Sequence, residues 1–116
     1  MLTLNLDNEF TNKRIIVTGA SKGLGAEICK ALAFRGAKIA MFSRSKIKMN
    51  ELKKFMKNSS NHISIKVDLL KLNSISLAVK KAKKFLKEID IIIHVAGGGY
   101  GLKDSLIKIS DLKTLF

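Results

Sequence analysis

The residues of this chain best suited to chemistry form a glycine-rich turn, V-T-G-A-S-K-G-L-G, at positions 17–25. Gly19 would let the chain turn sharply off a preceding strand, because glycine tolerates positive φ. Gly23 would let the backbone approach a phosphate closely, and Gly25 would let a helix pack against that strand. Ser21 could add a hydroxyl donor, beside the free N–H groups of the helix N-terminus. The turn predicts a site for a phosphorylated ligand, with an ordinary strand-to-helix bend as the alternative.

The elements that would position this turn alternate between strands and helices. The predicted strands are Arg14–Thr18, Lys38–Phe42, Ile63–Val67 and Ile89–Ala96, and the predicted helices are Gly23–Arg35, Ser45–Lys57 and Asn73–Lys87. A glycine loop follows the fourth strand, and a further helix is expected over Ser105–Phe116. Strands that alternate with helices predict the α/β class. We expect a Rossmann-like, doubly wound parallel sheet, truncated after the fourth strand, in one domain over residues 1–116, with ligands at the carboxyl ends of the strands.

The apolar spacing within the helices indicates which side chains face the sheet. The predicted inward residues are Leu24, Ile28, Ala31 and Leu32 in the first helix and Leu52, Phe55 and Met56 in the second. Gly36 is expected to stop the first helix, and Asn73 or Ser74 to cap the third. Asn58–Asn61 is expected to form a polar loop, with His62 beside it in solvent.

The composition is that of a globular chain with a strong positive charge. Its 116 residues carry a net charge of +13, which allows nucleic-acid binding as one interpretation. The alternative is a set of solvated helix faces, since lysines 80, 81, 83, 84 and 87 fall opposite Ile75, Ala78, Val79, Ala82 and Leu86. No aromatic residues interleave with these charges for base stacking, so nucleic acid is the less favoured partner.

Other features bear on location and on metal or thiol chemistry. No apolar run is long enough to cross a bilayer, and the N-terminus lacks the basic region of a signal peptide, so a cytoplasmic location without membrane contact is expected. The single cysteine, Cys29, lies within the first helix and is expected to pack rather than react. No metal site is predicted.

Four stretches of the chain together resemble the short-chain dehydrogenase/reductase family. They are T-G-x-x-x-G-x-G at 18–25, Ser43-Arg44-Ser45, Asp68-Leu69 and Val95-Ala96-Gly97, in the family's order from about Lys13 to the last residue. The resemblance implies an oxidoreductase that moves hydride between a nicotinamide dinucleotide and a carbonyl/alcohol pair, and a homo-oligomer when complete. It also implies that Asp68 accepts a hydrogen bond from the adenine amino group.

The resemblance and the residue types together predict which nicotinamide cofactor binds. Members that bind NAD carry an acidic residue at the end of the second strand, for the adenosine ribose. Here Ser43 holds that place and Arg44 follows, which can bind a 2′-phosphate with two hydrogen bonds. Lys22 lies toward the same region in similar proteins. We therefore expect NADP(H) to be preferred over NAD(H), although a solvated surface role is the alternative for Arg44.

The expected cofactor-binding set follows from these motifs. It comprises Gly19, Ser21, Lys22, Gly23, Leu24, Gly25, Ser43, Arg44, Asp68, Leu69, Ala96 and Gly97.

The chain departs from the family pattern at two places. His94 and Val95 stand where the family carries two asparagines. We expect His94 to be buried and to hydrogen-bond backbone as an asparagine would, with a catalytic role as proton carrier as the alternative. Tyr100, the only tyrosine, precedes Lys103 by three residues and so does not match the family's Tyr-x-x-x-Lys. We expect no catalytic residue in this chain, which would then be an N-terminal fragment that is inactive alone. A non-catalytic dinucleotide-binding module and a basic nucleic-acid-binding protein are the alternative functions.

Overall fold

The computed structural model describes residues 9–95. Its strands are β1 (Arg14–Thr18), β2 (Lys38–Ser43), β3 (Ile63–Lys66) and β4 (Ile91–His94), and its helices are α1 (Gly23–Phe34), α2 (Lys46–Lys53) and α3 (Leu72–Leu86). A short 3-10 turn at Ser59–Asn61 occupies the predicted polar loop. The predicted Ser105–Phe116 helix and the glycine loop with Tyr100 lie outside the described residues.

The four strands form one parallel sheet in the order β3-β2-β1-β4. β1 lies in the centre and pairs with β2 on one side and with β4 on the other. Along the chain, β2 and then β3 are therefore added on one side of β1, and β4 is added on the other side. This reversal is the topological switch point beside which α/β sheets bind ligands, and it confirms the predicted doubly wound fold.

Both faces of the sheet are covered because the strands are apolar at almost every position. On one face Ile15, Val17, Ile39 and Met41 pack with residues of α1 and α2. On the other face Ile16, Ala40, Phe42 and Ile65 pack with residues of α3. The lysines of α3 are exposed opposite its buried Ala78, Ala82 and Leu86, as the spacing predicted.

The predicted inward faces of α1 and α2 were wrong at three residues. Leu24 and Phe55 are exposed to 65% and 78%, and Ala31 is also exposed. The buried residues of α1 are instead Gly25, Cys29, Leu32 and Ala33, a face set by the small residues that approach the sheet closely. Phe55 is exposed because α2 ends at Lys53, so the helical periodicity no longer applies to it.

The ends of the helices confirm one prediction and correct another. Gly36 follows α1 with a φ of +97°, as expected of a residue that stops a helix. α3 begins at Leu72 with Lys71 in the cap position, so neither Asn73 nor Ser74 caps it. The Ser74 hydroxyl oxygen instead accepts a hydrogen bond from the Asp68 N–H at 2.9 Å.

His62 is buried, so its predicted place in solvent was wrong. Its side chain is in hydrogen-bond contact with two backbone groups, and Nδ1 accepts from the Ile39 N–H at 3.2 Å. Nε2 donates to the Lys57 carbonyl at 2.8 Å. The imidazole thereby ties the loop before β3 to the start of β2, and desolvation by burial lowers the pKa of His62.

Two further findings concern Cys29 and the membrane. Cys29 is fully buried in the core between α1 and the sheet, and burial raises the pKa of its thiol to about 12, which confirms a packing role. Among residues 9–95, no helix combines the length and the apolar character needed to cross a membrane.

Candidate cofactor-binding site

The glycine turn joins the carboxyl end of β1 to the amino end of α1, as the spacing predicted. Gly19 and Gly23 adopt positive φ values of +66° and +58°, a region that other residues rarely occupy. The Ala20 N–H between them donates to the Phe42 carbonyl at 3.3 Å, which holds the turn against the end of β2. The turn is therefore built into the sheet edge where the switch point lies.

The three glycines do different work in this turn. A Cβ on Gly19 would lie 1.8 Å from the Val95 carbonyl oxygen, and a Cβ on Gly25 would lie 2.0 Å from the Gly19 carbonyl oxygen. These two glycines allow close backbone packing among α1, the turn and the end of β4. A Cβ on Gly23 would meet nothing within 4 Å, so Gly23 faces open space into which a ligand could approach its backbone.

The amino end of α1 carries groups that can bind an anion. Lys22 holds the cap position in an extended conformation and makes no side-chain cap hydrogen bond to the helix. The first-turn N–H groups of a helix have no partner within the helix itself. With Lys22 and Leu24 exposed and Ser21 half-buried beside this end, the turn offers N–H donors, a cation and a hydroxyl to one ligand.

The end of β2 brings Ser43 and Arg44 to the same edge of the sheet. Ser43 Oγ accepts a hydrogen bond from the Ser45 N–H at 3.1 Å, and Ser45 Oγ accepts from the Lys48 N–H at 3.2 Å to cap α2. These bonds set the path of the chain through Arg44, whose side chain is exposed. A free guanidinium at this position can bind a phosphate with two parallel hydrogen bonds.

Asp68 follows β3 at the same edge and is half-buried with Leu69. Its Oδ1 accepts from the Leu70 N–H at 3.0 Å, while its own N–H donates to Ser74 Oγ. A carboxylate has lone pairs for about four hydrogen bonds, so the one to Leu70 leaves Asp68 capacity to accept another.

Thr18 and His94 link the ends of β1 and β4, a contact that motif reasoning did not single out. Thr18 Oγ1 is in hydrogen-bond contact with His94 Nδ1, and it also accepts from the Val95 N–H at 3.3 Å. His94 therefore has a structural hydrogen-bonding role, as expected, although it is half-buried and this contact is with a side chain, whereas burial and a backbone partner were expected. Val95 contributes through its backbone, although its side chain cannot replace an asparagine. The threonine preceding Gly19 was the available signal for this link.

The structure places most of the expected residues at the carboxyl ends of β1, β2 and β3, namely Gly19, Ser21, Lys22, Gly23, Leu24, Gly25, Ser43, Arg44, Asp68 and Leu69. Ala96 and Gly97 lie outside the described residues. Within residues 9–95 no three His, Cys, Asp or Glu side chains come together to hold a metal ion.

A parallel sheet with a glycine turn at its switch point defines a Rossmann-like nucleotide-binding fold. A model of the short chain dehydrogenase family matches residues 13–116. The chain therefore belongs to the short-chain dehydrogenase/reductase family.

Relatives and solved structures agree with this assignment. Dehydrogenase/reductase SDR family protein 7-like of Dictyostelium discoideum is 34% identical in an alignment of 113 residues that covers 92% of this chain and 34% of that protein. The crystal structure of hydroxysteroid dehydrogenase from Escherichia coli superposes with a TM-score of 0.75 at 26% identity, over 83% of this chain and 42% of that one. The structure of 3-ketoacyl-(acyl-carrier-protein) reductase from Brucella melitensis, complexed with NADH, has the same fold. It superposes with a TM-score of 0.67 at 24% identity, over 72% of this chain and 34% of that chain. The chain thus spans about a third of the length of the Dictyostelium relative.

Proposed function

We propose that this chain is the cofactor-binding part of an oxidoreductase that transfers hydride between NADP(H) and a carbonyl/alcohol pair. The observation that carries the proposal is the open space at Gly23, beside the uncapped amino end of α1 and at the switch point of the sheet. A pyrophosphate needs close backbone approach, N–H donors and positive potential, and this turn supplies all of them.

The choice of NADP(H) rests on the charges around the adenosine end of the site. Lys22 and Arg44 are exposed near the ends of β1 and β2, and Ser43 stands where a carboxylate would select NAD. The Ser43 hydroxyl is already engaged by the Ser45 N–H. Two cations without a carboxylate at this position favour a ligand with an extra phosphate.

The adenine ring would lie beyond β3, where Asp68 accepts the hydrogen bond proposed for it. The bond from the Asp68 N–H to Ser74 Oγ fixes the backbone at this residue, and the bond from the Leu70 N–H orients its carboxylate. When bound, the nicotinamide supplies or accepts the hydride. The residues of this chain bind and orient the dinucleotide, and we assign none of them to proton transfer.

A dinucleotide-binding module without catalysis is the second candidate function. The observation that favours it is that His94 and Val95 stand where similar enzymes carry two asparagines, because the Val95 side chain cannot make an asparagine's hydrogen bonds. NADPH oxidation with a panel of ketones and aldehydes, assayed in the protein expressed from its complete reading frame, separates the two candidates.

Gly23→Val tests the proposed pyrophosphate site at the glycine turn of residues 19–25, which we call the cradle. We expect the variant to lose NADPH binding, because the side chain would occupy the place of the pyrophosphate. Each charge-assisted hydrogen bond lost costs about 1.5–3 kcal/mol, or roughly ten- to a hundredfold in affinity. Binding is measured by calorimetry and helix content by circular dichroism, again in the protein from the complete reading frame.

Asn58→Val is the matched control for this experiment. Asn58 has a φ of 56°, against 58° at Gly23, and lies before β3 at the opposite end of the sheet. A branched side chain therefore imposes similar backbone strain at both positions, but only Gly23→Val enters the proposed cradle. Unchanged NADPH affinity in Gly23→Val, or equal loss in both variants, would refute the pyrophosphate site.

A further inference from the structure

A second basic site lies away from the glycine turn, in a groove along the outer edge of β3. The groove has a volume of about 340 Å³ and is lined by Lys46 and Lys53 of α2, Lys66 of β3 and Lys81 of α3. Because α2 and α3 cover opposite faces of the sheet, the lysines reach the strand edge from both sides. We call this surface the β3 groove.

The backbone of β3 is available to this groove. In the described part of the chain β3 pairs with β2 alone. The Val67 N–H donates to the Ser43 carbonyl at 2.9 Å, so it faces β2. Since main-chain groups alternate in direction along a strand, those of Ser64 and Lys66 face outward. An added strand would find donors and acceptors at these two residues.

The Ser64 side chain is a second sign of a missing partner. Ser64 is only 7% exposed, and its Oγ is buried without a hydrogen-bond partner among the described residues. Buried hydroxyls are ordinarily hydrogen-bonded, and an unsatisfied one costs about 1–3 kcal/mol. Ser64 also lines the groove, so this unsatisfied hydroxyl lies beside the unpaired strand edge.

The charge of the groove selects the kind of partner. No carboxylate lines it, so its lysines favour an acidic ligand. A second copy of this chain, with a net charge of +13, would be repelled, as lysines on edge strands commonly repel wrong partners. The lining residues include no aromatic ring on which a nucleic-acid base could stack.

We propose that the β3 groove binds an extended acidic segment of a partner protein, which adds to the sheet as a strand beside β3. Main-chain hydrogen bonds to Ser64 and Lys66 would hold the segment in register. Its side chains would alternate between the two faces, so that carboxylates on one face meet Lys46 and Lys53 and those on the other meet Lys81. The site is independent of the dinucleotide proposal, since it shares no residue with the glycine turn.

The test uses a blocked peptide of sequence E-V-E-E-V-E and a second copy that is N-methylated at every residue. Full N-methylation removes the N–H donors on both edges of the peptide and leaves the charge unchanged. We expect the first peptide to shift the backbone amide NMR signals of Ser64 and Lys66, and the methylated peptide to bind at least tenfold more weakly. Equal binding of the two peptides, or binding without shifts at these amides, would overturn strand addition.

Charge reversal provides a matched pair of variants. We expect Lys53→Glu with Lys81→Glu to weaken peptide binding about tenfold, given modest energies per exposed charge pair. Lys54→Glu with Lys84→Glu makes the same net charge change at exposed neighbours that do not line the groove, and it should bind almost normally. Dispersed amide spectra confirm folding of both. Equal weakening in the two pairs of variants would contradict the proposal. It would also be contradicted if a ten-residue oligothymidylate shifted the Ser64 amide signal and bound more tightly than the peptide.

Discussion

On the proposed function, single charges at the ends of the strands would decide which dinucleotide this site favours. Arg44 follows β2 on a path set by the bond from the Ser45 N–H to Ser43 Oγ, and its side chain extends into solvent. Lys22 does the same at the start of α1. A carboxylate in place of either cation would repel a 2′-phosphate, while the ribose hydroxyl of NAD(H) carries no charge for the cations to recognise.

Arg44→Asp is therefore expected to weaken NADPH binding and spare NADH. Loss of a charge-assisted hydrogen bond costs about 1.5–3 kcal/mol, which is roughly ten- to a hundredfold in affinity. Fluorescence titration with each cofactor, in the protein from its complete reading frame, measures the ratio. Lys84→Asp on the exposed face of α3 controls for net charge. Equal losses of affinity for NADPH and NADH in Arg44→Asp would show that Arg44 does not bind the 2′-phosphate.

His62 affects stability at the other end of the sheet. The folded chain holds the imidazole neutral, with Nδ1 accepting from the Ile39 N–H and Nε2 donating to the Lys57 carbonyl. Protonation would place a hydrogen on Nδ1 and break the first bond. Burial is the main reason that the pKa of His62 is lowered. The hydrogen bond to the Lys57 carbonyl acts against this shift, and the charge of Lys53 adds to it to a smaller extent.

We expect this residue to make stability fall in mild acid. The unfolded chain takes up a proton on His62 as pH drops through about 6.5, while the folded chain takes it up only at lower pH. The free energy of unfolding should thus be highest above pH 6.5 and fall below it, by up to about 1.4 kcal/mol per pH unit. Urea unfolding between pH 8 and 5 measures the slope, which His62→Gln should reduce. An identical slope in the variant would exclude His62 as the cause.

At the scale of elements, the starts of α2 and α3 connect helix formation to the site. Ser45 caps α2 by accepting from the Lys48 N–H, and the same residue donates its own N–H to Ser43 Oγ. Ser74, near the start of α3, accepts from the Asp68 N–H. Ser45 thus both caps α2 and orders the end of β2, so the stability of α2 and the geometry of the site depend on the same residue. Ser74 orders the chain at Asp68 but does not cap α3.

Ser45→Ala should destabilise the fold by about 1 kcal/mol, the usual cost of losing a helix N-cap. Thermal or urea unfolding measures this loss. Ser76→Ala on exposed α3 is the control, and it should be neutral or slightly stabilising because alanine favours helices. If the two variants unfold alike, the Ser45 cap contributes nothing measurable to α2.

At the scale of the molecule, an open sheet edge is combined with a high positive charge. Among the described residues β4 pairs only with β1, and Ile91, Ile92 and Ile93 remain half-buried. An apolar strand with an unpaired edge favours association between chains. The net charge of +13 opposes such association through repulsion.

Produced as these 116 residues alone, the chain should therefore associate as salt is raised. Screening shortens the reach of the repulsion from about 30 Å at 0.01 M to about 8 Å at 0.15 M ionic strength, while the apolar attraction remains. Sedimentation velocity at low and high salt measures the distribution of species. A monodisperse monomer at both salt concentrations would show that the β4 edge is already protected.

Much of the fold and of the cradle could be predicted from the sequence, because local patterns determine them. Apolar runs of strand length, joined by helical spacing, imply a parallel sheet, and chirality limits how its strands connect. The glycines of the turn were recognisable because positive φ and close approach exclude other residues. Those rules placed Gly19, Gly23 and Gly25 in a turn between β1 and α1, where the structure has them.

Tertiary structure alone decided the features that depend on distant contacts. His62 follows a polar loop in sequence, yet it is buried because Ile39, 23 residues away, offers it a backbone donor. Leu24 and Phe55 are apolar, yet no part of the described core reaches them. The contact between Thr18 and His94 spans 76 residues, and the β3 groove forms only where α2 and α3 meet one strand edge. Local spacing carries no information on such pairs, because the sheet brings them together only after its strands have paired.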